Sequence, residues 1–228
     1  MGIIRKTLVA GTVTAAATLG YIGSATTLTR PLPVNDSVFK SKLYKKHNIH
    51  RNPPTQDVVT KRVPLDKIRP ELLEKEGDIV LEFCRGVWTS PAYEIQRRYL
   101  ARKYHNASTS TDQDLWSKEQ LSTSTYEPGT IITDHFQVLE KTPTSITVRC
   151  GDSPRNQGPR DSDGLFIFSA VVDRQRGEVE LGLKSTLFPS SRKLEGDEAK
   201  PPMPPWMDDL HTWYARFWMI SGYRRLLK

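Results

Sequence analysis

Strand-forming patterns fill residues 130–188, and the chain then closes on one long, apolar, tryptophan-rich helix beginning near Trp206. A sheet with one apolar face must bury that face against another layer, and this helix is the element placed to cover it. The expected fold class is α+β: N-terminal helices followed by a curved antiparallel sheet packed against a long C-terminal helix. A sheet curved around a helix can enclose an apolar pocket between the two layers.

The strands are punctuated by turn chemistry. Glu127-Pro128-Gly129 precedes a strand over Ile131–Lys141, and Thr142-Pro143-Thr144 separates it from Ser145–Cys150. After a glycine- and proline-bearing loop, Leu165–Asp173 and Glu178–Phe188 form an expected hairpin around Arg174–Gly177. Period-two alternation then sorts the faces. If Ile132, Phe136 and Val138 face the core, Asp134 does too and His135 faces out; a slip of one residue reverses the pair. The same alternation turns Cys150 inward with Ile146 and Val148, and Ser185 inward with Leu181, Leu183 and Leu187. On the terminal helix, Trp206, Leu210, Trp213, Phe217, Ile220 and Leu227 share a stripe expected to be core. The candidate ligand-binding residues are therefore Asp134, Phe136, Cys150, Ser185, Trp213 and Phe217.

Upstream, Asp78 is placed to cap a helix carrying Ile79, Val80, Phe83, Cys84, Val87 and Trp88. Ser90-Pro91 starts another that carries Tyr93, Ile95, Tyr99 and Leu100 and exposes Arg97, Arg98, Arg102 and Lys103. Residues 31–64 read as an extended linker, because Pro31, Pro33, Pro53, Pro54 and Pro64 all disfavour helix. Residues 65–228 form the single expected domain.

Residues 1–30 read as a membrane anchor or targeting segment. Thr7–Leu28 carries no charged side chain and is bracketed by Arg5-Lys6 and Arg30, long enough as a helix to span a bilayer, although six threonines dilute it. A retained single-pass membrane helix is the leading expectation. A mitochondrial presequence or a cleaved secretory signal ending near Gly23-Ser24-Ala25 are the alternatives. The sequence Asn106-Ala107-Ser108 would accept a glycan only in a lumenal domain.

The formal net charge of +7 is spread through the chain rather than gathered on one aromatic-bearing face, which argues against nucleic acid as a partner. Two cysteines without a Cys-x-x-Cys exclude a four-cysteine zinc site. His47, His50 and Asp57 fall in the expected linker, where nothing would preorganise a metal, so neither metal nor cofactor is expected. Cys84 or Cys150 with His135 or His211 has the ingredients of a thiol nucleophile, but geometry rather than content defines such a site.

Three motifs, Phe83-Cys84-Arg85-Gly86-Val87-Trp88, Thr133-Asp134-His135-Phe136 and Arg149-Cys150-Gly151-Asp152-Ser153-Pro154-Arg155, together with the Gly182-Leu183-Lys184-Ser185 strand, resemble a family of uncharacterised proteins common in filamentous fungi. That resemblance implies no activity. In layout alone the chain also resembles the helix-grip fold of START and polyketide-cyclase-like proteins, which implies a cavity between sheet and helix. The expected function is a membrane-anchored protein binding an apolar small molecule or lipid in that pocket. The rivals are an enzyme using Asp134 as general acid or base, and a structural partner of a membrane complex.

Overall fold

The computed structural model describes residues 17–105 and 114–228, and the Asn106 sequon lies outside them. It is an α+β fold built on one open eight-stranded sheet of order β1-β2-β8-β7-β6-β5-β4-β3. The chain enters through a helix (α1, residues 17–24), β1 (Thr27–Thr29), two short helices α2 (Ser37–Lys40) and α3 (Lys42–His47), and the long strand β2 (Thr55–Pro64). Helices α4 (Asp78–Trp88) and α5 (Pro91–Tyr104) follow, then β3 (Asp114–Leu115), α6 (Lys118–Thr123) and the strands β4 (Ile131–Ile132), β5 (Phe136–Lys141), β6 (Ser145–Cys150), β7 (Asp163–Asp173) and β8 (Glu178–Phe188). Helix α7 (Pro205–Gly222) closes the fold. All strand pairs are antiparallel except β3 with β4.

The segment expected to be a linker is thus structural. Val58-Val59-Thr60 and Val63 supply strand-forming residues, and β2 pairs with β8 along its full length, from Thr55 opposite Leu187 to Pro64 opposite Glu178. Of the prolines that argued against structure, Pro53 and Pro54 precede β2 and Pro64 is its last residue, so none falls in the strand's interior.

The expected membrane span is overturned. No helix among the described residues is long and apolar enough to cross a membrane. Within Thr7–Leu28, residues 7–16 lie outside the described part, α1 stops at Ser24, and Thr27 and Leu28 are extended and paired with Thr60 and Val59. A residue committed to a sheet ladder cannot also be in a spanning helix. Arg216 of α7 fixes this turn by donating to the carbonyls of Gly23 and Thr26, at 3.1 and 3.0 Å. The single-pass membrane expectation rested on that span and falls with it, and nothing among the described residues supports the mitochondrial or lipid-binding expectations.

The inner face of the sheet carries Val59, Leu181, Leu183, Phe168, Ile146 and Val148, and α4 and α7 cover it. Trp88 at the end of α4 is the centre of the core, 1% exposed, with ring contacts to Tyr93 at 4.9 Å, Phe136 at 4.8 Å and both Phe168 and Trp218 at 5.4 Å. Ser90 caps α5 by accepting from the Tyr93 amide, ahead of Pro91, as its sequence dictates. Helices α4 and α7 meet at glycine: a Cβ on Gly86 would lie 2.2 Å from the Gly222 carbonyl oxygen, so only glycine admits this approach.

Helix α7 is apolar on most sides, and the buried side is not the stripe expected. Thr212, Ala215, Trp218, Met219 and Ile220 face inward, whereas Trp206, Leu210, Trp213 and Phe217 are 64%, 62%, 38% and 36% exposed. Small residues decide this choice, since Ala215 and Gly222 let the helix approach the layers beneath it and the tryptophan-rich stripe does not.

Candidate functional site

Between the sheet and α7 lies a cavity of about 360 Å³. Its apolar walls are Phe136, Phe166, Leu187, Met203, Ala215 and Trp218, and Gly151, Cys150, Ser162, Ser185, Gln96, Tyr214, His135 and His211 complete the lining. Residues of six elements converge there because the inward rows of β6, β7 and β8 end in small side chains near Cys150, Gly164 and Ser185, while α7 presents Ala215 above them. Of the residues proposed from sequence, Phe136, Cys150 and Ser185 line the cavity. Asp134, Trp213 and Phe217 do not.

Asp134 is displaced because the expected continuous strand is interrupted. Thr133 and Asp134 adopt left-handed backbone angles, φ 51° and 47°, and make a tight turn between β4 and β5. Phe136 keeps its inward phase, but the turn sends Asp134 away from the pocket and brings His135 to it. Asp134 is 4% exposed and satisfied: Arg155 stands 3.1 Å from its Oδ1, and Ser153 Oγ donates to the same oxygen at 2.9 Å. Arg155 also reaches Asp114 at 2.8 Å, so one guanidinium ties the 151–164 loop to β3 and the β4–β5 turn. Trp213 lies instead on the outer side of α7, where Arg216 sits 5.6 Å from its ring.

The polar end of the cavity joins Ser185, proposed from sequence, to Asp57 and His211, which sequence reasoning did not place there. Asp57 of β2 and Ser185 of β8 are directly opposite each other in the ladder and both point inward. His211, one turn before Ala215 on α7, reaches down to them, with Nε2 3.0 Å from Ser185 Oγ and 3.2 Å from Asp57 Oδ2. The Asp57 carboxylate is wholly buried. The signal for Asp57 was the β-branched run that follows it, which flanking prolines masked. His211 carried no signal, because its role depends on the rotation of α7.

Burial sets the protonation of the other groups. The Cys150 thiol is pushed up to about 12 by desolvation, so it stays protonated near neutrality. Cys84 is fully buried in the core, where desolvation likewise raises its thiol. A thiol nucleophile at either position is inconsistent with that burial. Desolvation lowers His135 from the usual histidine range, favouring the neutral ring, and pushes Tyr214 up to about 12. The Tyr214 hydroxyl is meanwhile held by the Ala92 carbonyl at 3.1 Å and Gln96 Oε1 at 2.9 Å.

A larger depression of about 620 Å³ lies between α3 and β2. Two of its polar residues are already engaged within the chain, since Asn52 Nδ2 donates to the carbonyls of Pro189 and Arg192 and Asn48 donates to Asn52 O. The cavity under α7 is therefore the better candidate site.

No family model matches this chain, and no curated protein or solved structure matches it either.

Proposed function

We propose that the chain binds an apolar small molecule of about the size of a bicyclic ring in the cavity under α7, in a helix-grip-like arrangement. The observation carrying this reading is the cavity itself: about 360 Å³, walled mainly by aromatic and aliphatic side chains, with a few polar groups gathered at its ends. That composition and size are those of small-molecule sites, in which apolar walls supply affinity and a few polar atoms fix orientation. A hydrogen-bonding group on the ligand fits beside His211 and Ser185 or beside His135.

Ligand-detected NMR with indole, an apolar bicycle with one N–H donor, tests the reading. Indole should give saturable transfer signals with the wild-type protein and lose them in Ala215→Phe, which fills the cavity. Trp213→Ala, on the outer side of α7, should leave them unchanged. Equal signals from wild type and Ala215→Phe, or none from wild type, would overturn the proposal.

A further inference from the structure

The Asp57–Ser185–His211 cluster has a hydrogen-bond logic that goes beyond binding. A carboxylate only accepts, and Asp57 is buried with two donors in reach: Ser185 Oγ at 3.3 Å and His211 Nε2 at 3.2 Å. Leaving a buried carboxylate unsatisfied is costly, so the proton sits on Nε2 and the hydroxyl also turns to Asp57. Two consequences follow. Ser185 is not a histidine-activated nucleophile, because the nitrogen beside it already carries a proton. The ring's lone pair is left on Nδ1, which has no hydrogen-bond partner among the described residues, on a side chain that lines the cavity.

A strand whose inward neighbours include Val59 and Val63 would be served at least as well by an apolar side chain at position 57. A buried acid orienting one nitrogen of a pocket histidine is instead the arrangement that prepares the other nitrogen for proton transfer.

We propose that His211 is a general base, positioned by Asp57, that removes a proton from an apolar ring-sized substrate bearing an acidic C–H or O–H, with His135 as a hydrogen-bonding group on the same cavity. In the step, Nδ1 takes the proton and the electron pair of the broken bond moves onto the substrate's own acceptor or leaving atom. The resulting imidazolium keeps its Nε2–H on Asp57, which faces it with a full charge. His135 lies three strands from Ser185 in the sheet, on the turn leading into β5, and its neutral ring can donate to the atom where charge develops. This inference rests on the pocket reading above.

A nitrobenzisoxazole is the direct probe: a base takes its ring C–H proton, the N–O bond breaks, and a coloured cyanonitrophenolate results with no other reactant. Wild type should turn it over saturably and faster than free imidazole at equal concentration. His211→Ala should lose on the order of 100-fold in kcat/KM, and added imidazole should restore part of it. His211→Gln serves as the second variant, with folding of both checked by circular dichroism. Asp57→Asn should lower kcat with KM nearly unchanged and displace the pH profile, which loss of a merely structural contact would not do. The unreactive isostere nitrobenzimidazole, followed by NMR, separates the two readings. Binding of the isostere without histidine-dependent turnover overturns the general base and leaves the pocket. Failure of the isostere to bind overturns both.

Discussion

Acid should destabilise this fold in part through the side chain of His47. The ring lies at the end of α3, partly buried, with Nε2 enclosed and unpartnered among the described residues. Burial, followed by repulsion from Arg149, lowers His47 from 6.5 to about 4. The Arg149 guanidinium is itself engaged, donating to both carboxylate oxygens of Asp163 at 2.8 and 2.7 Å. A protonated His47 would therefore add a cation to a site whose buried anion is already paired. The folded ring binds a proton only near pH 4, whereas the unfolded chain binds it near 6.5, so stability from this group is present above that range and is lost as pH falls through it. The full gap corresponds to about 3 kcal/mol, and partial exposure of the ring reduces the expected loss to about 2 kcal/mol. Urea denaturation of wild type and His47→Gln at intervals between pH 7 and about pH 4 measures the difference directly. The variant should show a flatter stability profile, with the two curves diverging as pH falls. Parallel curves would refute the account of a neutral, desolvated His47 and point to a solvated ring.

Other expectations concern packing and reactivity. Gly222→Ala should destabilise by about 1–3 kcal/mol or more, because its Cβ would lie 2.5 Å from Val87 Cγ2; an unchanged urea midpoint would mean α4 and α7 are not in contact there. Trp88→Ala should cost about 3–5 kcal/mol, whereas Trp213→Ala, 38% exposed, should cost clearly less; equal losses in parallel denaturation would contradict the orientation of α7. Neither Cys84 nor Cys150 should react with a disulfide reagent in the folded protein, and both should react at once in denaturant; rapid labelling of the native chain would show that burial does not hold the thiols protonated.

The two layers of the fold were legible in the sequence because they rest on local regularities. Period two set the inward rows Ile146, Val148, Cys150 and Leu181, Leu183, Ser185, and the Ser90-Pro91 pair fixed the start of α5. Where the local signal was ambiguous, long-range packing decided. An eleven-residue strand pattern from Ile131 gave no warning that Thr133 and Asp134 would turn left-handed, and that one turn exchanged Asp134 for His135 at the cavity. A helix apolar on most sides has no unique inner face in sequence, so only contact with β2, α4 and α5 could select Ala215 and Trp218 over Trp213 and Phe217. Residues 55–64 read as linker until their partner was known, because a strand completes its hydrogen bonds through a neighbour more than a hundred residues away. The candidate base depends on all three decisions: His211 meets Asp57 and Ser185 only when β2 is in the sheet, β8 is in register, and α7 is turned to face them.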